Sequence, residues 1–184
     1  MGASVFPRVY HHRADRMGEH PLRSVVVMVI ILGIDPGLDG ALAFYDTVRG
    51  DLEILDMPTL RVGTGSKRVV DEDTLAREID CRSSFIHHAF LEQVGTLPGE
   101  GAVGAFSFGT GFGLLKGVLA ANFIPRTLVR PQEWKKALRV PAEKDGARAR
   151  ASQLLPAHAG KWVRVKDDGR AEAAMICLWG ASKL

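Results

Sequence analysis

A chain of 184 residues with 46% hydrophobic and 24% charged side chains has the make-up of a soluble globular domain with one sizeable core, and its lack of repeats or biased tracts excludes a solenoid, fibrous or low-complexity protein. Net charge is only +3, but from Lys116 to Arg170 thirteen Lys and Arg face five acids, a local balance of +8 that suits a polyanionic partner. The two cysteines, Cys81 and Cys177, have no metal-type spacing and are expected as free thiols in a reducing cytoplasm.

Residues 1–23 mix Gly, Pro, His and Arg without periodicity and read as a disordered, dispensable arm, with Met17 and Met28 as alternative starts. The folded domain is expected over 24–184. Its apolar opening, 25–34, is too short to span a bilayer. Arginines before it and Ala41-Leu42-Ala43 after it imitate a signal peptide, but Asp35 and Asp39 would fall between the run and the cut. Residues 24–34 predict a central strand buried on both faces, ended by the turn residues DPGLDG. ALAFYD (41–46) and GDLEILDMP (50–58) complete an antiparallel meander, and TLRVGTGSKR (59–68) reads as a flexible basic loop.

The stretch 71–88 opens with acids and spaces Leu75, Ile79 and Ile86 as a helix. His87 and His88 would then lie at its end, in a structural role. AFLEQV (89–94) is the fourth strand, followed by a Gly-rich loop. Residues 106–123 read as a helix with Gly109, Gly113 and Gly117 on one face. Each glycine costs a helix about 1 kcal/mol, so a close backbone approach is expected there, either to the sheet or to a partner subunit. IPRTLVRP (124–131) is the fifth strand, and helices are expected at 132–138, 145–155 and 168–182, the last with Ala171, Ala174, Met175 and Leu178 on its apolar side. The order predicts an α/β domain built on a five-stranded mixed sheet flanked by helices. Trp134 and Trp162 read as core or rim residues.

Four acids stand out. Asp35 ends the first strand and Glu92 lies near the end of the fourth, so the two meet if those strands are adjacent and parallel. Asp168 and Glu172 share one face of the last helix, with Asp167 an alternative to Asp168. Two carboxylates 4 Å apart repel by about 4 kcal/mol at an effective dielectric near 20. Such a cluster raises its own pKa values unless cations neutralise it. Mg²⁺ favours a few carboxylates with water and phosphate oxygens, and a pair of such ions about 3.5–4 Å apart serves phosphodiester hydrolysis.

GIDPG after a strand, LEQV on a later strand and DDGRAEAAMI in the final helix resemble the RuvC family of Holliday junction resolvases, within the ribonuclease H-like superfamily. The resemblance runs from about Val26 to Gly180. It is closest to the phage-type and related bacterial members, whose PGxG…FxFGxxxGxLxG and V-x-P-x-x-W-K stretches look like Pro98–Gly117 and Val129–Lys135. It implies a ribonuclease H-like fold and a homodimeric, Mg²⁺-dependent endonuclease, with Mn²⁺ as substitute, that makes paired nicks in four-way DNA junctions. No membrane and no nucleotide cofactor are implied. Asp35, Glu92, Asp168 and Glu172 would be the metal-binding catalytic acids. Lys135, Lys136, Lys144, Arg148 and Arg150 would bind phosphates. Three departures stand beside it: Glu172 where many members have Asp, Gly95 where the cellular enzyme has an aromatic wedge, for which Leu97 or Phe106 could substitute, and the Asp167–Asp168 pair.

Two other classes compete. A non-catalytic relative would bind junctions in EDTA and cut nothing in Mg²⁺. A sugar kinase or actin-like ATPase also opens on an Asp-containing loop after strand one, but needs two such domains and leaves Glu92 and the terminal acids without a role.

Overall fold

Ile30–Asp35 (β1) is the middle strand of the main sheet, and its neighbours follow from the turns around it. In the computed structural model, which describes residues 28–95, 101–143 and 145–184, β1 pairs antiparallel with Ala41–Asp46 (β2), and β2 with Leu52–Asp56 (β3). The expected arm at 1–23, the opening residues of the first predicted strand, Leu97 and Lys144 lie outside the described residues. Thr59–Arg61 (β4) and Arg68–Val70 (β5) form a separate antiparallel hairpin. Ile86–Glu92 (β6) runs parallel to β1 on its other edge, and Arg126–Val129 (β7) runs parallel to β6. The sheet order is β3-β2-β1-β6-β7. A mixed five-stranded sheet flanked by helices was the expectation, and the parallel β1–β6 contact is what brings two of the four acids to one sheet edge.

The strand pleat sorts side chains between two cores. Leu32 and Ile34 of β1 join Leu42, Phe44 and Leu91 against Glu72–Asp80 (α1) and Ala102–Ala121 (α2). Ile31, Ala43 and Phe90 point to the other face, where they meet Trp134 of Pro131–Ala137 (α3), Ala151 of Gly146–Leu154 (α4), and Met175 and Cys177 of Asp168–Ala181 (α5). At Gly33 an added Cβ would overlap the backbone of Ala173 and Cys177. Glycine therefore lets α5 lie directly on the central strand. Asp71 caps α1, accepting from the Thr74 N–H at 3.1 Å.

Three expectations are corrected. The stretch 59–68 is an ordered hairpin, tied to the sheet by Arg68, which binds Asp39 Oδ1 at 2.7 Å. The helix expected over 71–88 stops at Asp80, and Ile86, His87 and His88 belong to β6. Ile86 satisfied the helical spacing by coincidence; its apolar contacts come through parallel pairing with Ile30. His88 sits mid-strand, its Nε2 2.9 Å from Thr127 Oγ1. Finally, no described residue lies within 4 Å of a Cβ added at Gly109, Gly113 or Gly117, so sheet packing does not explain that face. The sheet side of α2 is Gly111, Leu115, Val118 and Leu119. By length and composition alone α2 could cross a membrane; in this fold that apolar side is one wall of the core.

Candidate active site

β1 ends where Pro36 removes a backbone donor. Asp35 follows five buried residues there, and its Oδ1 accepts the Gly37 N–H at 3.2 Å. The first turn of α5 backs onto the same carboxyl: an added Cβ at Gly169 would stand 3.0 Å from Asp35 Oδ2 and overlap the Asp39 carbonyl oxygen. Gly169 thus permits the close approach of α5 to the strand end.

Glu92 is the last residue of β6 and only 4% exposed. A carboxylate so buried needs a partner, and the indole Nε1–H of fully buried Trp134 donates to its Oε1 at 2.8 Å. One turn into α5, Glu172 Oε1 accepts from Lys135 Nζ at 2.7 Å. Burial pushes the Asp35 carboxyl up to about 7, the Gly37 N–H opposes that rise, and the charges of Glu172 and Glu92 add to it. Glu92 is likewise raised, mainly by burial, with the Trp134 bond opposing and Glu172 adding. Asp35, Glu92 and Glu172 are therefore one electrostatic cluster, with Lys135 as its nearby cation.

Asp168 is turned to a different partner, Arg148, whose Nε donates to Asp168 Oδ1 at 2.7 Å. It shares with Glu172, Lys135, Gln132 and Glu143 the lining of an open groove. Asp167 is buried and held by Arg164, whose backbone N–H and guanidinium both bind it; the Arg164 bonds hold its pKa below the usual carboxylate range. Of the two adjacent acids, Asp168 is the one that faces the groove. Among the described residues no three His, Cys, Asp or Glu stand close enough to form a ready-made metal cage. The partners explain this: Trp134, Lys135 and Arg148 each hold one acid.

The predicted phosphate-binding residues divide in the same way. Lys135 lines the groove and Lys136 is exposed. Arg148 is used inside the chain, by Asp168, Asp145 and the Val163 carbonyl. Arg150 donates to the Leu138 carbonyl at 2.6 Å and to Gln153 at 2.9 Å, bracing α4 against the end of α3. Sequence reasoning missed the contact of Trp134 with Glu92, because a tryptophan at a core position carries no mark of what its N–H meets. It also missed Arg68, which binds the Leu38–Asp39 turn beside Asp35.

In sequence, no family model and no curated protein matches the chain. In structure, it is similar to Thermus thermophilus RuvC in complex with a Holliday junction substrate, at 15% identity and a TM-score of 0.53 over 84% of this chain and 96% of that one. It is also similar to the yeast mitochondrial Holliday junction resolvase Ydc2, at 13% identity and a TM-score of 0.51 over 86% of this chain and 82% of that one. The chain has the RuvC-type, ribonuclease H-like fold. On a RuvC-type sheet, the ends of β1 and β6 carry Asp35 and Glu92 side by side, and α5 crosses beside them with Asp168 and Glu172.

The donor set suits a hard divalent cation. It is made wholly of carboxylate oxygens, and an ammonium, Lys135 Nζ, already sits on one member.

Proposed function

We propose that this chain is a Mg²⁺-dependent, structure-selective DNA endonuclease that resolves four-way junctions or related branched DNA by paired nicks. One observation carries the reading: Asp35 and Glu92 end adjacent parallel strands of a RuvC-type sheet, and Glu172 lies on the helix packed beside them with Lys135 on its carboxylate. Asp35, Glu92, Asp168 and Glu172 would hold Mg²⁺, or Mn²⁺ in its place. With the ion bound, the site gains the positive charge and the activated water that phosphodiester hydrolysis needs.

The chain's own groups do the rest. Asp35 is pinned by Gly37 and Glu92 by Trp134, so neither must be ordered when substrate arrives. Lys135 lies beside Glu172 and can turn its ammonium to a phosphate oxygen of the DNA. Exposed Lys136 extends that contact along the backbone, and Lys144 is a further phosphate contact by its sequence alone. Arg148 and Arg150 contribute through α4, which they fasten to Asp168 and to the end of α3. Asp168 reaches its role by leaving Arg148.

Paired nicks require two sites related by a two-fold axis, and we assign the second to another copy of this chain docked through α2. Val103 and Phe106 are 75% and 79% exposed on that helix. The open face of Gly109, Gly113 and Gly117 would let two backbones approach closely. We place the protein in the cytoplasm, since exposed Cys81 and buried Cys177 are both free thiols.

The test is cleavage and binding of a labelled four-way junction by Asp35→Asn and Glu92→Gln. Each should lose at least about 100-fold in cleavage rate, on the order of 2.7 kcal/mol, while junction binding persists. Cleavage at the wild-type rate by either variant would remove that residue from the reaction.

A further inference from the structure

Trp134 and Lys135 are consecutive residues of α3, and each holds a different acid of the cluster. Lys135 lies partly in solvent. Trp134 has no exposed surface and belongs to the second core together with Ile31, Phe90 and Met175. Its ring is therefore immobile, and the direction of its N–H is fixed by the packing of α3 on the sheet.

That fixed donor meets a carboxylate that is itself only 4% exposed, at 2.8 Å, across forty-two residues of sequence. Glu92 has three rotatable side-chain bonds and ends its strand. With Oε1 bound to the indole, the carboxylate is anchored at one oxygen and Oε2 stays available to a further ligand. A neutral donor does this without cancelling the charge that a cation needs, unlike the ammonium on Glu172 or the guanidinium on Asp168. Ligating carboxylates commonly depend on such outer partners, whose loss lowers metal affinity about 10–100-fold.

We propose that Trp134 is a positioning residue for metal binding: its indole N–H fixes Glu92 in the ligating orientation, so the packing of α3 is read directly by the site. This rests on the reading of the acids as a divalent-metal centre.

The experiment is Mn²⁺ titration by calorimetry on the full chain, comparing wild type with Trp134→Phe. Phenylalanine keeps an aromatic ring in the core and removes only the donor. Trp162→Phe is the comparison, because it removes the indole bond of another buried tryptophan, to Ser152 Oγ at 2.9 Å. Trp134→Phe should weaken Mn²⁺ binding about 10–100-fold while Trp162→Phe changes it less than twofold. Equal affinity in wild type and Trp134→Phe, or equal losses in both variants, would overturn the proposal. A second measurement needs no core substitution. In ¹H–¹⁵N spectra of the wild-type chain, the indole signal that Glu92→Gln perturbs should shift on Mg²⁺ addition and saturate with occupancy. An indole signal indifferent to Mg²⁺ would overturn the proposal even if Trp134→Phe fails to fold. Absence of Mn²⁺ binding by wild type would instead bring down the metal-centre reading itself, and the role of Trp134 with it.

Discussion

Asp35 shows how a single residue can carry a protein's response to pH. Its carboxyl is raised to about 7 in the fold, chiefly by burial and then by Glu172 and Glu92, whereas in the unfolded chain it titrates near the ordinary Asp value of about 4. Between those values the unfolded chain has released a proton that the native chain keeps. Stability contributed by Asp35 is therefore present below about pH 4 and is lost as pH rises towards 7. Asparagine mimics the neutral acid. In thermal melts in EDTA, Asp35→Asn should melt above wild type at pH 8 and level with it at pH 4, with about 2–4 °C for each kcal/mol of repulsion and desolvation relieved. Equal melting temperatures at both pH values would show that the carboxyl is not strained. The place of Asp35, at the end of an apolar strand before Pro-Gly, was legible in the sequence, and so was the turn in which its Oδ1 accepts the Gly37 N–H. The partners of the other acids were not: the Trp134 indole on Glu92 and the Arg148 guanidinium on Asp168 belong to particular rotamers, and residue type does not reveal them. Arg148 and Arg150 illustrate the limit. Basic side chains on a helix suggest phosphate binding, yet both are engaged within the chain.

At the scale of elements, the acidic edge depends on how closely α5 lies on β1. Gly33 and Gly169 set that distance, one under the middle of α5 and one at its first turn. Gly33→Ala would force a methyl into the backbone of Ala173 and Cys177. It should destabilise the chain by about 1–3 kcal/mol, the usual range for overpacking, read as a lower urea midpoint; an unchanged midpoint would mean that α5 slides freely. Most elements could be read from periodicity, since the five sheet strands and the last helix follow clear apolar patterns. Two could not. In 71–88 only five residues, none of them Gly or Pro, separate a helix from a strand, so Ile86 fitted the wrong period. In 59–68 three-residue strands are too short to show alternation, and only the pairing of Arg61 with Arg68 through Leu60 and Val69 reveals the hairpin.

For the whole molecule, the two-layered core explains why one face of α2 is built and the other is bare. Leu115, Val118 and Leu119 bind it to the sheet, and the three open glycines face away from it. If that face joins two copies, Gly113→Glu should convert a dimer to a monomer in light scattering at micromolar concentration, with the fold of each copy retained. A dimer that survives the substitution would place the interface elsewhere. The measurement that reaches the central claim most directly uses the wild-type chain, a labelled synthetic four-way junction and a linear duplex of the same sequence, each in Mg²⁺ and in EDTA. The account predicts symmetric paired nicks in the junction, in Mg²⁺ alone, and an intact duplex throughout. Binding of the junction with no cut in either condition would contradict it, and would leave the acids of this RuvC-type sheet without the reaction assigned to them.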